Sequence, residues 1–200
     1  MESALQNRAA TFPLHPPVFF RMAAAACLFC SLLCACARGE DRNLEYQVKA
    51  GFLYNFTKFV DWPREAFASA TDPIVITIFG ADPFGQRFDD AVKNETTDGR
   101  KIVIRRVRKL EDIEPTHLLY ISNSEVGNEA QILAQVRRKS IVTVGESNDF
   151  IRNGGMIRFV MQDGKVRFII NAAAERESGV TVRSQLKRLA TAIVDSARQK

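Results

Sequence analysis

The sequence predicts an α/β fold in which a mostly parallel sheet carries helices on both faces. Short apolar runs alternate with amphipathic segments, and this rhythm is typical of parallel strands joined by right-handed helical crossovers. The run at 74–79, IVITIF, is almost entirely apolar and β-branched, which is the pattern of a strand buried on both faces. The pair Asp163-Gly164 separates two further strand-like segments and predicts an antiparallel hairpin near the end of the chain.

The first predicted element is an aromatic amphipathic helix in the segment 46–63, YQVKAGFLYNFTKFVDWP. Proline disfavours helical geometry in the residue before it, so we expect this helix to stop at Trp62-Pro63. Side chains spaced at the helical period give the helix an apolar face that should pack on the sheet. That face consists of Leu44, Val48, Phe52, Phe56 and Phe59.

Strands and helices then alternate along the chain. After the strand at 74–79, a helix should run to about Lys93, with Asp82 as its N-cap and Pro83 in its first helical position. Together with the elements that follow, this order indicates a doubly wound, Rossmann-like sheet. The further predicted elements are strands at 101–107, 117–122 and 140–144 and a helix at 125–139.

The hairpin joins strands at 156–162 and 165–171, and counting outward from its turn fixes the register. The expected pairs on its apolar side are Met161 with Val166, Phe159 with Phe168 and Ile157 with Ile170. A last helix, from Thr181 to about Ala197, carries an apolar stripe that should dock on the sheet.

An export signal precedes this domain. Residues 22–36 form an apolar run of about 15 residues after Arg21, too short to span a bilayer, which needs about 20. Small residues around Cys36 suit signal peptidase, so we expect a signal peptide at 1–37 and a single domain at 38–200. An alternative is lipidation of Cys36, because the segment 33–36, LCAC, resembles a bacterial lipobox.

Composition excludes several classes of function. All four cysteines lie in the predicted signal peptide, at 27, 30, 34 and 36, so no disulfide is expected in the domain. The net charge of +5 is too mild to indicate nucleic-acid binding. About 160 residues suffice for a hydrophobic core without such cross-links.

Candidate catalytic residues are scarce. The predicted domain has one histidine, His117, and no cysteine, which argues against a zinc or copper site, and its serines have only His117 as a possible base. His117 opens an apolar strand, where a structural histidine is more common. We therefore expect no enzyme activity, no metal and no cofactor. An alternative stays open at the Gly80–Gly85 turn, where a small molecule or anion could rest at the start of a helix.

Two surfaces are candidates for partner binding. Basic residues that include Arg105, Arg106 and Arg108 indicate either a charged edge strand or a docking patch. Tyr46, Leu53 and Tyr54 widen the apolar arc of the first helix beyond one packing contact. That flank is expected to contact either the rest of its own domain or another chain.

The segment 49–63, KAGFLYNFTKFVDWP, resembles the opening motif of the YfiR-like family of exported bacterial proteins. The segments 76–85, 117–125 and 154–190 resemble the family in order and spacing. The resemblance implies a non-enzymatic periplasmic regulator that binds the periplasmic sensor domain of an inner-membrane diguanylate cyclase. Such a regulator restrains cyclic-di-GMP synthesis and, through it, biofilm formation.

The resemblance also implies a homodimer. It supplies no catalytic residue, so Tyr46, Leu53, Tyr54, Arg105, Arg106 and Arg108 stand as candidate partner-binding residues. Characterised relatives carry cysteines in the mature domain that can form disulfides, whereas residues 38–200 contain none. A redox-controlled mechanism is therefore not expected in this chain.

Overall fold

The structure, a computed structural model, describes residues 43–195. The predicted signal peptide and the alternative lipidation site at Cys36 lie outside the described residues. The helices are α1 (residues 43–58), α2 (Gln86–Val92), α3 (Glu129–Val136), α4 (Ala172–Ser178) and α5 (Ser184–Leu189). The strands are β1 (Val60–Asp61), β2 (Ile74–Phe79), β3 (Thr96–Thr97), β4 (Arg100–Val107), β5 (Leu118–Ile121), β6 (Val142–Gly145), β7 (Ile157–Gln162), β8 (Lys165–Asn171), β9 (Thr181–Val182) and β10 (Ala192–Val194).

Eight strands form one sheet in the order β10-β8-β7-β6-β5-β2-β4-β3. The five central strands, from β7 to β4, are parallel, while β8 runs antiparallel to β7 and β3 antiparallel to β4. β1 and β9 pair separately as a two-stranded antiparallel sheet. The mostly parallel α/β fold predicted from the sequence is confirmed.

Both faces of the central sheet are covered. Every residue of β2 is buried, since its alternate side chains enter two different apolar clusters. Ile76 and Ile78 belong to the cluster that includes α1 and the hairpin, whereas Phe79 belongs to the cluster under α3. This burial explains why the sequence of β2 is an almost continuous apolar run.

The hairpin has the predicted register. Ile157 pairs with Ile170, Phe159 with Phe168 and Met161 with Val166. Its turn residues have positive φ, 50° at Asp163 and 68° at Gly164. A right-handed twist of the strands favours such a turn, because it bends the chain in the matching sense.

Helix α1 differs from the prediction in its end and in its buried face. It ends at residue 58 instead of at Trp62-Pro63, because β1 follows and pairs with β9. Leu44 and Val48, expected in the core, are 62% and 41% exposed. The residues of this segment that are buried are Lys49, Leu53, Phe56, Thr57 and Val60.

Three other predicted helices need correction. Helix α2 begins at Gln86, after the predicted start, because the Asp82 carboxylate caps a turn by accepting hydrogen bonds from the Phe84 and Gly85 N–H groups. The helix predicted at 125–139 is confined to α3. The single helix predicted from Thr181 is wrong, since this part of the chain forms β9, α5 and β10. Helix α4 is an element that the sequence pattern did not predict; it follows its N-cap Asn171 and ends before Gly179.

Candidate partner-binding surface

Helix α1 is fixed to the sheet by aromatic packing. The ring of Phe56 lies 5.8 Å from that of Phe159 and 5.2 Å from that of Phe168, measured between centroids. Phe52 packs against the same two hairpin residues, at 6.0 and 5.5 Å. Such pairs add to the free energy gained by burial alone. The C-terminal half of α1 is therefore a firmly held part of the domain.

A buried ion cluster fixes the N-terminal half of α1. Lys49 is 2% exposed, and its Nζ lies 2.7 Å from an Oε atom of Glu146 and also contacts Glu45. The Glu146 carboxylate also accepts hydrogen bonds from the Tyr120 hydroxyl, at 2.5 Å, and from the Asn123 amide, at 3.2 Å. Tyr120 and Glu146 stand at the carboxyl ends of β5 and β6, so the cluster joins the helix to that edge of the sheet.

Electrostatics in this cluster favour the ion pair. Burial alone lowers the pKa of Lys49, but hydrogen bonds to Glu146 and Glu45 outweigh it, so the pKa of Lys49 is raised. Burial, followed by the Glu146 charge, raises the pKa of Tyr120. Lys49 is therefore charged and the Tyr120 hydroxyl is protonated at neutral pH. The Lys49 ammonium also lies 4.5 Å from the centroid of the Tyr46 ring.

A groove of about 310 Å³ separates α1 from α2. The Tyr46 ring packs edge to face on Phe84, with centroids 5.8 Å apart. At the other end, the Tyr54 hydroxyl donates to Glu95, and Lys58 Nζ lies 4.1 Å from the Tyr54 centroid. The groove is lined by Tyr46, Gln47, Ala50, Gly51, Tyr54, Phe84, Arg87, Phe88, Ala91 and Val92.

A second groove, of about 300 Å³, lies on the hairpin side of α1 and is polar. Its lining includes Lys49, Glu45, Glu146 and Asn123 of the ion cluster. It also includes Asn148 and Arg158, whose side chains form a hydrogen bond of 2.6 Å. Between the two grooves, α1 exposes Leu44 and Val48. The exposed face of α1 and the apolar groove together form the candidate partner-binding surface.

The three candidate partner-binding residues of α1 differ in their exposure. Leu53 has no exposed area, so the prediction that it contacts a partner directly is wrong. The helical period places Leu53 in the middle of the buried face, between Lys49 and Phe56. Tyr46 and Tyr54 are half-buried and line the apolar groove.

The three predicted arginines do not form one patch. Arg105 donates to the Asp112 and Pro115 carbonyls, at 3.0 and 2.8 Å. Arg106 points to the opposite face of β4, where it pairs with Asp89 and with Asp82, and these hydrogen bonds raise its pKa. Arg108 is exposed beyond the end of β4. Two of the three charges are thus engaged within the domain.

The turn at Gly80–Gly85, the alternative ligand site, is closed by the protein itself. The Ala81 N–H donates to the Ser124 hydroxyl at 2.9 Å, and Asp82 accepts from the N–H groups of Phe84 and Gly85. A carboxylate therefore occupies the position that an anion would take. The three N–H donors of the turn are therefore already bonded to side chains of the protein, one to Ser124 and two to Asp82.

His117 has a structural role at the amino end of β5. Its Nδ1 accepts from the Val75 N–H at 3.0 Å, so Nε2 carries the proton and donates to the Ala66 carbonyl at 3.1 Å. Its ring stacks on Phe67 with centroids 4.4 Å apart. Burial lowers the pKa of His117, which keeps the ring neutral.

Between residues 43 and 195, no group of three or more His, Cys, Asp or Glu side chains could hold a metal ion. In the same part of the chain, no helix is long and apolar enough to cross a membrane.

Fold and surface define a small α/β domain with a docked amphipathic helix beside an apolar groove. A family model described as YfiR/HmsC-like matches residues 46–191, so the chain belongs to the YfiR/HmsC-like family. This confirms the resemblance seen in the sequence. At the level of the family, the function is periplasmic regulation of a diguanylate cyclase, and the family is not known for enzymatic activity.

Comparison with curated proteins finds no match. Among solved structures, an ABC domain from Streptococcus pneumoniae in complex with L-Trp is 9% identical with a TM-score of 0.46, over 60% of this chain and 55% of that chain. A conserved domain protein from Vibrio cholerae O1 biovar El Tor strain N16961 is 13% identical with a TM-score of 0.41, over 60% of this chain and 54% of that chain. The chain thus spans about half the length of these structures.

Proposed function

We propose that this protein binds the periplasmic sensor domain of an inner-membrane diguanylate cyclase and restrains cyclic-di-GMP synthesis. Membership of the YfiR/HmsC-like family is the observation that carries the proposal. Export through the signal peptide at 1–37, or anchoring through a lipidated Cys36, would deliver the protein to the compartment of the sensor. The protein acts as a regulator without catalysing a reaction.

The docking surface in this proposal is the exposed face of α1 with the apolar groove beside it. Leu44 and Val48 are apolar, exposed and one helical turn apart, on a helix held by aromatic packing and by the Lys49 ion cluster. A rigid helix loses little conformational entropy on binding, so more of the contact energy contributes to affinity. Tyr46 and Tyr54 offer large apolar areas with polar tips, a combination enriched at interfaces.

Restraint requires more than binding. A regulator shifts the cyclase toward its inactive state only by the difference between its affinities for the two states. The α1 surface must therefore match the inactive arrangement of the sensor better than the active one. A hundredfold difference in affinity, about 2.7 kcal/mol, is enough to turn an evenly populated cyclase almost entirely off.

The test is made in the source bacterium by deleting the gene and measuring cyclic-di-GMP. We expect the level to rise, and to fall again when the wild-type gene is restored. Val48→Glu places a charge on the proposed surface, so this variant should fail to lower the cyclic-di-GMP level of the deletion strain. Val103→Glu is the matched control, because Val103 is also 41% exposed but lies on β4 between Lys101 and Arg105.

A second measurement links the effect to the partner. The membrane cyclase should co-purify with the wild type and with Val103→Glu, and not with Val48→Glu. An unchanged cyclic-di-GMP level in the deletion strain, together with no co-purified cyclase, would contradict the proposed function. Size-exclusion chromatography of the purified protein would test the homodimer that the family implies.

A further inference from the structure

Gly51 lies in the middle of α1, where glycine is unfavourable compared with alanine. Apart from the backbone of its own helix and its chain neighbours, a Cβ built on Gly51 would meet no atom within 4 Å, and the backbone there does not adopt a left-handed conformation. By contrast, a Cβ at Gly145 or Gly155 would lie within 2.5 Å of the Phe150 ring. Packing within the domain therefore explains those two glycines and does not explain Gly51.

The space above Gly51 belongs to the apolar groove. Ala50 and Gly51 on α1 and Ala91 on α2 keep the floor of the groove low. Aromatic side chains, among them Tyr54 and Phe84, form its walls. The volume of about 310 Å³ is at the lower end of that of small-ligand pockets, and suits one or two large side chains.

The groove has a single charged lining residue, Arg87. Arg87 is exposed, and within residues 43–195 it forms no ion pair with a carboxylate. The neighbouring Arg106 is different, since Asp82 and Asp89 already neutralise it. A carboxylate brought to the groove by a partner would therefore find an unpaired guanidinium.

We propose that the groove receives a large apolar side chain flanked by a carboxylate, carried by a segment of the periplasmic domain of the cyclase. The apolar side chain lies over Gly51, and the carboxylate pairs with Arg87. Leu44 and Val48 continue the apolar surface along α1 beyond the groove, which suits a protein segment better than a small molecule. The identity of the carrier rests on the proposed function, whereas the chemistry of the groove does not.

The groove is tested directly by NMR titration of the purified protein with two synthetic peptides, acetyl-Ser-Phe-Glu-Ser-amide and acetyl-Ser-Phe-Lys-Ser-amide. The Glu peptide should shift the amide signals of Gly51, Tyr54 and Ala91, and should bind at least fivefold more tightly than the Lys peptide. In Arg87→Glu this preference should reverse. Absence of shifts at the groove, or equal binding of the two peptides, would overturn the proposal.

Gly51→Leu is the blocking variant. Leucine is a better helix former than glycine, and the open space above Gly51 can accommodate it, so the unfolding midpoint should stay the same or rise. Binding of the Glu peptide should fall at least tenfold. Gly127→Leu is the matched control, because Gly127 is exposed, also has open space at the Cβ position and lies outside α1 and the groove lining. It should change binding less than twofold.

The same two variants separate this inference from the proposed function. In the source bacterium, Gly51→Leu should raise cyclic-di-GMP to the level of the deletion strain, while Gly127→Leu should not. If deletion raises the level but Gly51→Leu behaves as wild type, the groove inference fails and the regulator function stands. If deletion changes nothing, the regulator function fails, and the peptide titration still decides whether the groove binds this chemistry.

Discussion

Replacement of Lys49 by methionine tests whether the buried ion cluster holds α1 on the sheet. Lys49 is 2% exposed, and its ammonium contacts the carboxylates of Glu146 and Glu45. Methionine keeps an unbranched apolar stem of similar length, so packing changes little. The substitution therefore removes the charge and leaves two carboxylates without their cation.

The size of the expected loss in unfolding free energy depends on which partners Glu146 and Glu45 retain without Lys49. Removing one partner of a buried ion pair typically costs 3–5 kcal/mol. Glu146 retains hydrogen bonds from Tyr120 and Asn123, and the side chain of Glu45 is 28% exposed and can reach water. We therefore expect the lower end of the range, about 3 kcal/mol of unfolding free energy. For a domain of this size that corresponds to a fall in Tm of roughly 6–12 °C.

Urea unfolding at neutral pH measures this change. Adding Glu146→Gln to Lys49→Met removes the uncompensated carboxylate while leaving an oxygen to accept from Tyr120, and should recover at least about 1 kcal/mol. If Lys49→Met unfolds within about 0.5 kcal/mol of the wild type, the cluster does not hold the helix. A double variant no more stable than the single one would show that an unpaired Glu146 charge is not the cause.

The pH dependence gives a second check with a definite sign. The folded pKa of Lys49 is raised above the ordinary lysine value of 10.5. Its contribution to stability is therefore fully present below pH 10.5 and is lost as the pH rises through the folded pKa. The difference in unfolding free energy between wild type and Lys49→Met should be constant from neutral pH to pH 10.5. It should shrink only above pH 10.5.

Four further predictions concern single positions. Thr77 is completely buried in β2, and its hydroxyl has no hydrogen-bond partner among the described residues. Thr77→Val should therefore raise the unfolding free energy by about 1 kcal/mol. A loss of stability in urea would show that the hydroxyl is bonded. Phe159→Ala should cost about 3–5 kcal/mol, while Met161→Ala, two residues along the same face but 51% exposed, should cost far less; equal midpoints for the two variants would contradict the observed burial. The pKa of His117 is lowered from 6.5, so its contribution to the unfolding free energy should be fully present above pH 6.5 and be lost as the pH falls through the folded pKa. An NMR titration in which His117 protonates at or above its ordinary pKa would refute this. Tyr54→Ala should weaken association with the partner by at least ~1 kcal/mol while the domain stays folded, and unchanged pull-down and size-exclusion profiles would remove Tyr54 from the docking surface.

Elements defined by local patterns were predictable from the sequence. In β2 the apolar run leaves no alternative to a strand covered on both faces, and the structure has the same bounds. The hairpin register follows from one turn, because a shift of a single residue would turn Phe159 and Phe168 away from the core. Both predictions depend only on residues that are close to one another in the sequence.

The end of the chain could not be predicted in this way. Apolar residues from Val182 to Val194 fit one helical stripe, but Thr181–Val182 pairs with β1 and Ala192–Val194 pairs with β8. Their strand partners are distant in sequence, and these tertiary contacts override the local helical period. The helical part shrinks to α5.

The buried face of α1 was misassigned for a related reason. The predicted apolar face contains Leu44 and Val48, whereas the observed buried face contains Lys49. Lysine is almost never fully buried unless it is paired. Lys49 is buried because Glu146, nearly a hundred residues away, supplies its counter-charge. The sequence pattern of the helix contains no sign of that pairing, and so it does not place Lys49 and Leu53 in the middle of the buried face.

The closed carboxyl edge of the sheet explains why the candidate surface lies on a helix. Doubly wound sheets usually bind ligands outside the carboxyl ends of the strands where the strand order reverses, here between β2 and β5. A Cβ at Gly80 would lie 2.6 Å from side-chain atoms of Ser124 and Glu125, so those side chains fill this position. An apolar groove of about 310 Å³ lies instead between α1 and α2. Side chains of the protein thus occupy the usual ligand position of this fold, and the proposed docking surface lies on α1 instead.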